Sequence, residues 1–510
     1  MDNPQQLAGR REWVGLAILA LPAFLVSMDT SVMYLAIPTI SSVLHPGSAQ
    51  LLWITDIYTF LEAGLLITMG TLGDRVGRRR LLLIGAVAFA AASAFAAFST
   101  SAGMLVAARG ILGITGATLL PCTLSLLRNM FRNDRQRTFA IGIWTTCFSF
   151  GTMLGPLIGG FLLTHFWWGS VFLMGVPVML LLILLAPFFL PEFREPVTQP
   201  FDLFSALLSI LSVLFVIYGI KRVADQGIGP LPILSIGVGL LVGIAFIRRQ
   251  RSHADPLVDL SLFRIPAFTT SLTALFFVLF AWAGSFIFVA QYLQLMIGLS
   301  PLQAGWWTIP SAAGGVIGCL LAPQLLRIAR RGFVMAAGMI IVGAGLGIFS
   351  QLGGSVGFPL FIVATMFLSG GCGMTVTLGA DMVIGAVPPQ RAGLAAGLYE
   401  TSTTFGQAFG VAILGSIGTA FYHRYMAQGL PPGVSPDMAT TARNTLGGAL
   451  AVARQLSGQT GAGLLNIARI SFAAAFRVTA GTAAVFLSLI AVGVAYFLRL
   501  PAPGRGNPGD

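Results

Sequence analysis

Residues 48–80 read SAQLLWITDIYTFLEAGLLITMGTLGDRVGRRR. Positions 51–69 are apolar almost throughout, and about 20 such residues at 1.5 Å each carry a helix across a bilayer. Two acids, Asp56 and Glu62, stand inside the run, where a charge costs about 2.5–3.5 kcal/mol even on the mild insertion scale. Acids placed there point to ion or substrate handling rather than to packing. The run ends in the glycine turn Gly70-Thr-Leu-Gly-Asp74-Arg75-Val-Gly77, followed by Arg78, Arg79 and Arg80. Clustered arginines beside a span mark the cytoplasmic side, so this one stretch also orients the chain.

The rest of the chain has the same character. Of 510 residues, 56% are hydrophobic and 9% charged, with a mean hydropathy of +0.87, whereas a soluble domain carries about 25% charged residues. No soluble core hides that much apolar surface, so the fold class is an all-α polytopic membrane protein. Apolar runs of spanning length occur at 13–35, 51–69, 81–99, 104–127, 138–164, 168–190, 203–220, 230–247, 268–291, 303–325, 333–351, 359–380, 393–422 and 477–499. Fourteen transmembrane helices are therefore expected, an even number that puts both termini on one side. Arg10 and Arg11 precede an apolar run that reaches Asp29 without an A-x-A-like cleavage site, so this run is read as the first helix.

The net charge of +12 does not indicate a nucleic-acid partner, because the basic residues sit in short clusters between spans. With the termini inside, the cytoplasmic segments hold Arg10, Arg11, the Arg75–Arg80 set, Arg128, Arg132, Arg135, Arg137, Arg194, Arg248, Arg249, Arg251, Arg264, Arg327, Arg330, Arg331, Arg391, Arg499 and Arg505. The outer loops keep Lys221, Arg222, Arg424, Arg443, Arg454, Arg469 and Arg477, most of them in one long loop. Long loops report orientation weakly. Both termini are expected to be cytoplasmic.

Several classes drop out. Cys122, Cys147, Cys319 and Cys372 fall inside apolar runs, which argues against a disulfide framework or a metal cluster, and no metal or cofactor is expected. Lys221 is the only lysine and Arg222 follows it, so the phosphate-cradling G-x-x-x-x-G-K-[ST] loop of an ATP-driven pump is absent. His45, His165, His253 and His423 lie in loops or at span ends and build no hydrolase site inside the membrane. No enzyme activity is expected.

An internal repeat divides the chain. Ala140-x-Gly142 is followed by Gly151-x-x-x-Gly155, and Ala395-x-Gly397 by Gly406-x-x-x-Gly410 at the same offset, each set preceded by an arginine, Arg137 or Arg391. Small residues every four positions let helices approach closely. The reading is two related six-helix halves, 1–195 and 265–510, with an inserted helix pair and its linker at 196–264; parallel repeats of this kind are a standard transporter plan. His423 to Ser471 is too polar to span. It is read as an external hairpin, with short amphipathic helices over Asp437–Leu456 and Gly463–Ile470.

Together these residues resemble the major facilitator superfamily, and within it the fourteen-span drug:proton antiporters of the quaternary-ammonium efflux type. Gly70–Arg80 matches the family's loop motif G-x-L-x-D-R-x-G-R-[KR]. Asp29-x-Ser31-Val32-x-x-x-Ala36-x-Pro38 matches the span-one motif, and Leu52-Trp53-Ile54-x-Asp56-x-Tyr58 resembles the start of span two in the same branch. Arg109-Gly110 with Gly113 and Gly116-Ala117 matches the span-four motif, and Gly151-x-x-x-Gly155-Pro156-x-x-Gly159-Gly160 matches the antiporter motif of span five. The resemblance covers essentially the whole chain. One departure is Pro310–Gly315 in span ten, which lacks the acid that favours divalent cations in some exporters of this type.

Asp29 stands about 24 Å beyond Trp13 along span one, while Asp56 and Arg109 enter from the outer side and lie about 8–12 Å deep. All three share one layer, where an arginine opposite buried carboxylates sets their proton affinity; the alternative is a static ion cluster. Glu62 lies about 240° around the helix from Asp56 and either binds a cation or makes a helix–helix hydrogen bond. Glu400 is a proton or substrate contact or else a structural partner, and Asp381 is expected to pair with Arg391. The resemblance implies a cytoplasmic gate of Gly70, Asp74, Arg75, Gly77, Arg78 and Arg79, in which the acid meets a helix N-terminus or an arginine of the other half. Gly151, Gly155, Pro156 and Gly159 are expected to form a close-packed face between halves. Tyr58, Trp144, Trp282, Phe286, Trp306 and Tyr399 offer aromatic faces to a lipophilic cation, worth about 0.5–2 kcal/mol each. The expected activity is proton-coupled efflux of hydrophobic, mainly singly charged cations by a single copy in the bacterial plasma membrane. The partners are protons, such cations and the lipid bilayer. A permease importing a metabolite is the alternative.

Overall fold

The computed structural model describes residues 7–131, 133–193, 202–252, 260–351, 357–387, 392–431, 434–456 and 458–498. The hydrocarbon offers backbone groups no water, so an apolar run must satisfy its own hydrogen bonds as a helix. The regular structure among the described residues is helical throughout. Helix α1 (Arg10–Leu44) turns through a left-handed His45 (φ 45°) into α2 (Ser48–Val76). Gly77 (φ 110°) alone separates α2 from α3 (Arg78–Ala97), and α4 (Ala102–Met130) starts where the Ser101 side chain accepts from the Met104 amide. Then come α5 (Asp134–His165), the short α6 (Ser170–Leu173), α7 (Gly175–Phe189), α8 (Leu203–Gln226) and α9 (Pro230–Ser252). A 3-10 turn at Leu260–Arg264 leads into α10 (Pro266–Gln291), which closes in a π-helical turn, Tyr292–Met296. The remainder is α11 (Pro301–Trp306), α12 (Ile309–Leu325), α13 (Arg331–Phe349), α14 (Phe358–Gly385), α15 (Ala392–Gly429), α16 (Pro436–Asn444), α17 (Leu446–Gln455) and α18 (Gly458–Phe497).

Thirteen helical stretches among the described residues are long and apolar enough to cross a membrane, with α6–α7 and α11–α12 each serving as one. Alongside them α2 runs unbroken for 29 residues through the expected second span. Burial differs between helices: 78% of the apolar window of α1 is buried, against 17% in α9. On α7, α9 and α18 large side chains such as Phe188, Leu241 and Leu489 are exposed, which is the surface a protein presents when lipid is its solvent.

The segment expected to be a polar hairpin is mostly helix. α15 runs on to Gly429, Asp437–Leu456 is divided at Thr445 between α16 and α17, and α18 already begins at Gly458. Gly463–Ile470 is therefore part of α18 and not a separate short helix. The reason is local: Thr445 is extended and its hydroxyl caps Gly448 N–H, which ends one helix and starts the next. These elements carry a core of their own, in which the buried Tyr422 hydroxyl donates to the Ala442 carbonyl (3.0 Å).

By packing, the chain forms two compact units, Met1–Val213 with Ala290–Trp306 and Leu214–Val289 with Trp307–Asp510. In the first, α5 lies on α1: a Cβ at Gly151 would overlap the Phe24 carbonyl, and one at Gly155 would overlap Ser31. In the second, α15 lies on α10, with Gly406 at the Phe276 carbonyl and Gly410 at the Phe280 carbonyl. Both pairs step by four residues on each helix, so the sequence repeat is a repeat of packing. Pro156 and Gly160 of the motif meet α11, at Gly305 and Pro301, while the faces of Gly151, Gly155 and Gly159 close on α1 of the same unit, with Gly159 at Val32. The physical reason is that α1 brings its own small residues, Ser27 and Ser31, to the same seam.

Candidate functional site

In the first unit α2 lies against α4 because α4 is nearly bare there. A Cβ on Gly113 would overlap the Tyr58 backbone, and one on Gly116 would stand 3.0 Å from the Tyr58 hydroxyl and 3.6 Å from Glu62 Oε1. The span-four glycines thus let Arg109, one turn earlier, reach across both neighbours. Arg109 is 1% exposed. Its Nη1 donates to Asp29 Oδ2 on α1 (2.6 Å) and its Nε to the Ile54 carbonyl on α2 (3.2 Å). The guanidinium also lies 4.5 Å from the Tyr58 ring centre and 5.9 Å from that of Phe172 on α6. Three neighbouring helices thus offer the α4 cation a carboxylate, a carbonyl and two ring faces.

A pair buried to this degree is costly to desolvate, and breaking it by deleting one partner leaves an uncompensated charge worth about 3–5 kcal/mol. Asp56 is also buried (1% exposed) on α2, and Tyr34 of α1 lies within the electrostatic reach of both Asp56 and Arg109. Glu62 is buried beside Tyr58, over Gly116. Asp29, Arg109 and Tyr58 thus form one contact cluster, with Asp56 and Glu62 buried on the same helix as Tyr58. Glu400 is half-buried on α15 of the second unit.

The aromatic candidates disperse. Trp144 is buried and stacked on Phe148, Trp306 is 59% exposed, and Tyr399 packs against an apolar cluster around Phe268 and Leu275. Trp282 and Phe286 stack on each other with centroids 5.1 Å apart. Asp381 pairs with Arg331 (3.2 Å); its expected partner Arg391 lies outside the described residues.

The charged turn has a partner that the motif does not name. Glu192, just past α7, accepts from the Arg79 amide (3.1 Å) and stands 3.6 Å from Arg79 Nε and 4.0 Å from Arg80 Nε. The Arg78 amide donates to the Phe193 carbonyl (2.9 Å) and Arg79 Nη1 to the Leu190 carbonyl (2.9 Å). Glu192 is thus a carboxylate on the N-terminus of α3, favoured by the helix dipole and by two arginines. Gly77 makes the approach possible, since a Cβ there would sit 2.6 Å from Glu192 Oε1. The available signal was an acid after Pro191 on the expected cytoplasmic side, facing the arginines of the preceding hairpin. Gly70 packs near Pro121 of α4, Arg75 is half-buried at the end of α2, and the Asp74 side chain lies outside the described residues.

The profile of the Major Facilitator Superfamily matches residues 19–411. The multidrug efflux pump LfrA of Mycolicibacterium smegmatis is 40% identical, over 95% of this chain and 96% of its own. The methyl viologen resistance protein SmvA of Salmonella typhimurium is 33% identical, over 96% and 98%. A solved structure of a bacterial homolog to the human lysosomal transporter Spinster, inward-facing and unoccupied, superposes with a TM-score of 0.69 at 16% identity, covering 98% of this chain and 100% of that one. This last likeness bears on fold alone.

Proposed function

The chain belongs to the major facilitator superfamily and is a multi-pass protein of the bacterial cell membrane, and from that premise we propose that it is a proton-driven exporter of hydrophobic, mainly singly charged cations such as quaternary ammonium antiseptics and dyes. The observation that carries the proposal is the buried Arg109–Asp29 pair at 2.6 Å. A proton on Asp29 removes the carboxylate charge that Arg109 Nη1 contacts and weakens that bond, so proton binding and the spacing of α1 and α4 are linked. Protonation from outside releases the substrate cation; deprotonation toward the cytoplasm restores an anionic site for the next one. Proton entry is worth about 2.3 kcal/mol per 100 mV plus about 1.4 kcal/mol per pH unit. One proton therefore sustains a gradient of roughly a hundredfold before the substrate's own charge is subtracted.

The relatives named for multidrug efflux and methyl viologen resistance support the efflux direction and a cationic substrate class. The proposal includes fourteen spans, with α2 as the fourteenth, cytoplasmic termini, the division at 195 and 264, and function as a single copy. The test is efflux of a fluorescent cation from cells of a transporter-deficient strain, with and without an uncoupler. Export that continues undiminished after the proton gradient collapses would refute the coupling, and gain of growth on a nutrient in place of resistance would favour an importer.

A further inference from the structure

The second unit holds a polar cluster that the proton pair does not use. Trp282 lies well inside α10, nine residues before its end at Gln291, or about 13 Å in from that end. At such depth an N–H group without an acceptor is costly. The indole N–H donates to Ser369 Oγ on α14 (3.1 Å), Ser369 and Ser311 hydroxyls are 2.7 Å apart, and Ser311 Oγ donates to the Thr365 carbonyl (3.3 Å). The ends of this chain fix its direction. An indole only donates and a carbonyl only accepts, so Ser369 takes from Trp282 and gives to Ser311, which gives to Thr365.

The chain rests on a rigid support. α12 and α14 are pressed together where Gly314 meets the Met366 backbone and Gly318 the Gly370 carbonyl. Trp282 itself is half-buried, with its polar edge turned into the protein. A tryptophan that merely anchors a helix at the membrane surface turns that edge toward the headgroups instead. One helical turn on, the buried Phe286 stacks on it at 5.1 Å and 23° and backs its ring. The outcome is two parallel rings held in a set orientation by two serines.

We propose that Trp282, backed by the buried Phe286, forms a shelf for the flat aromatic part of a cationic substrate, and that Ser369 and Ser311 are positioning residues that fix the angle of the shelf. This rests on the efflux reading above and deepens it: ring-bearing planar cations gain from the shelf and ringless alkyl cations do not. Ring and cation contacts of this kind change affinity by about three- to thirtyfold.

The experiment uses the purified full chain in lipid nanodiscs. Equilibrium Kd is measured for ethidium, a planar aromatic cation, and for decyltrimethylammonium, which has the charge and no ring. Trp282→Ala and Ser369→Ala are expected to raise the ratio of the ethidium Kd to the alkyl Kd by about fivefold or more. Ser369→Thr, which keeps the hydroxyl, restores the parent ratio, and Ser311→Ala moves it in the same direction as Ser369→Ala. A plain helix–helix hydrogen bond would lower thermal stability without moving the ratio. An unchanged ratio in monodisperse Ser369→Ala or Ser311→Ala protein overturns the positioning role. A parent chain that binds neither cation overturns the efflux reading, and the shelf with it.

Discussion

Arg109 is where sequence, packing and chemistry meet, because its guanidinium, carried on α4, is the buried cation that α1, α2 and α6 all contact. Arg109→Ala is expected to cost about 3–5 kcal/mol, since Asp29 is left buried without its counter-charge. Asp29→Asn keeps shape and some hydrogen bonding but fixes the neutral state, so it costs less. The double variant is expected to cost less than the sum, as partners in one buried pair must. Thermal unfolding in detergent measures all three, and vesicles with an imposed pH gradient measure transport. Both single variants are expected to insert and to lose proton-driven efflux. Asp29→Asn that pumps as well as the parent at matched expression would move the coupling site to Glu62 or Glu400. At this scale the sequence revealed the charged residues and their shared layer. It did not reveal that Ile54 lends a carbonyl or that Phe172 lends a ring, because neither residue type is marked by its chemistry.

Helix pairs show a different kind of legibility. The four-residue glycine spacing was visible in both halves, but a spacing does not say which neighbour it serves; the partner became clear only from the α1–α5 and α10–α15 seams. Gly155→Val and Gly410→Val are therefore expected to destabilise by about 1–3 kcal/mol each through overpacking. Gly397→Ala, in the same repeat but with nothing among the described residues within 4 Å of the added carbon, is the control and should be neutral. Equal losses in all three would mean that the repeat is not a packing device. The turn between α2 and α3 makes a sharper case. Gly77→Ala meets both a positive φ and the Glu192 carboxylate, for a loss of about 1–3 kcal/mol. Glu192→Ala alone costs about 1 kcal/mol by removing a partly exposed ion pair and a helix-end carboxylate. Because the two changes share one clash, Glu192→Ala is expected to relieve part of the Gly77→Ala loss in a double-variant unfolding measurement. Strict additivity would mean that Glu192 does not occupy the space above Gly77.

Over the whole molecule, a membrane leaves a chain so few options that the all-helical architecture could be read from hydropathy alone. What hydropathy could not supply were interruptions such as that between α11 and α12 and the continuation of α15 and α18 beyond the apolar runs, since both depend on tertiary packing. Orientation rests on charge. On the proposed fourteen-span topology, counted over short loops, the arginines fall almost wholly on the side of the Arg75–Arg80 cluster. The exception is the stretch around α16 and α17, where Arg424, Arg443, Arg454 and Arg477 are exposed and Asp437 is the one acid between His423 and Arg477. A strict count of all charges would let this stretch pull the C-terminal half toward the opposite orientation. Charge in a long folded loop contributes little to topology, however, while clusters within about 15–20 residues of span ends dominate. A reporter fused after Arg505 is therefore expected to read cytoplasmic, and one inserted at 431–436, in the turn before α16, to read external. If both readings reverse, the basic cap has outweighed the short loops, and the direction of proton entry past Asp29 reverses with it. If the two reporters read the same side, α18 does not cross and the count of fourteen falls.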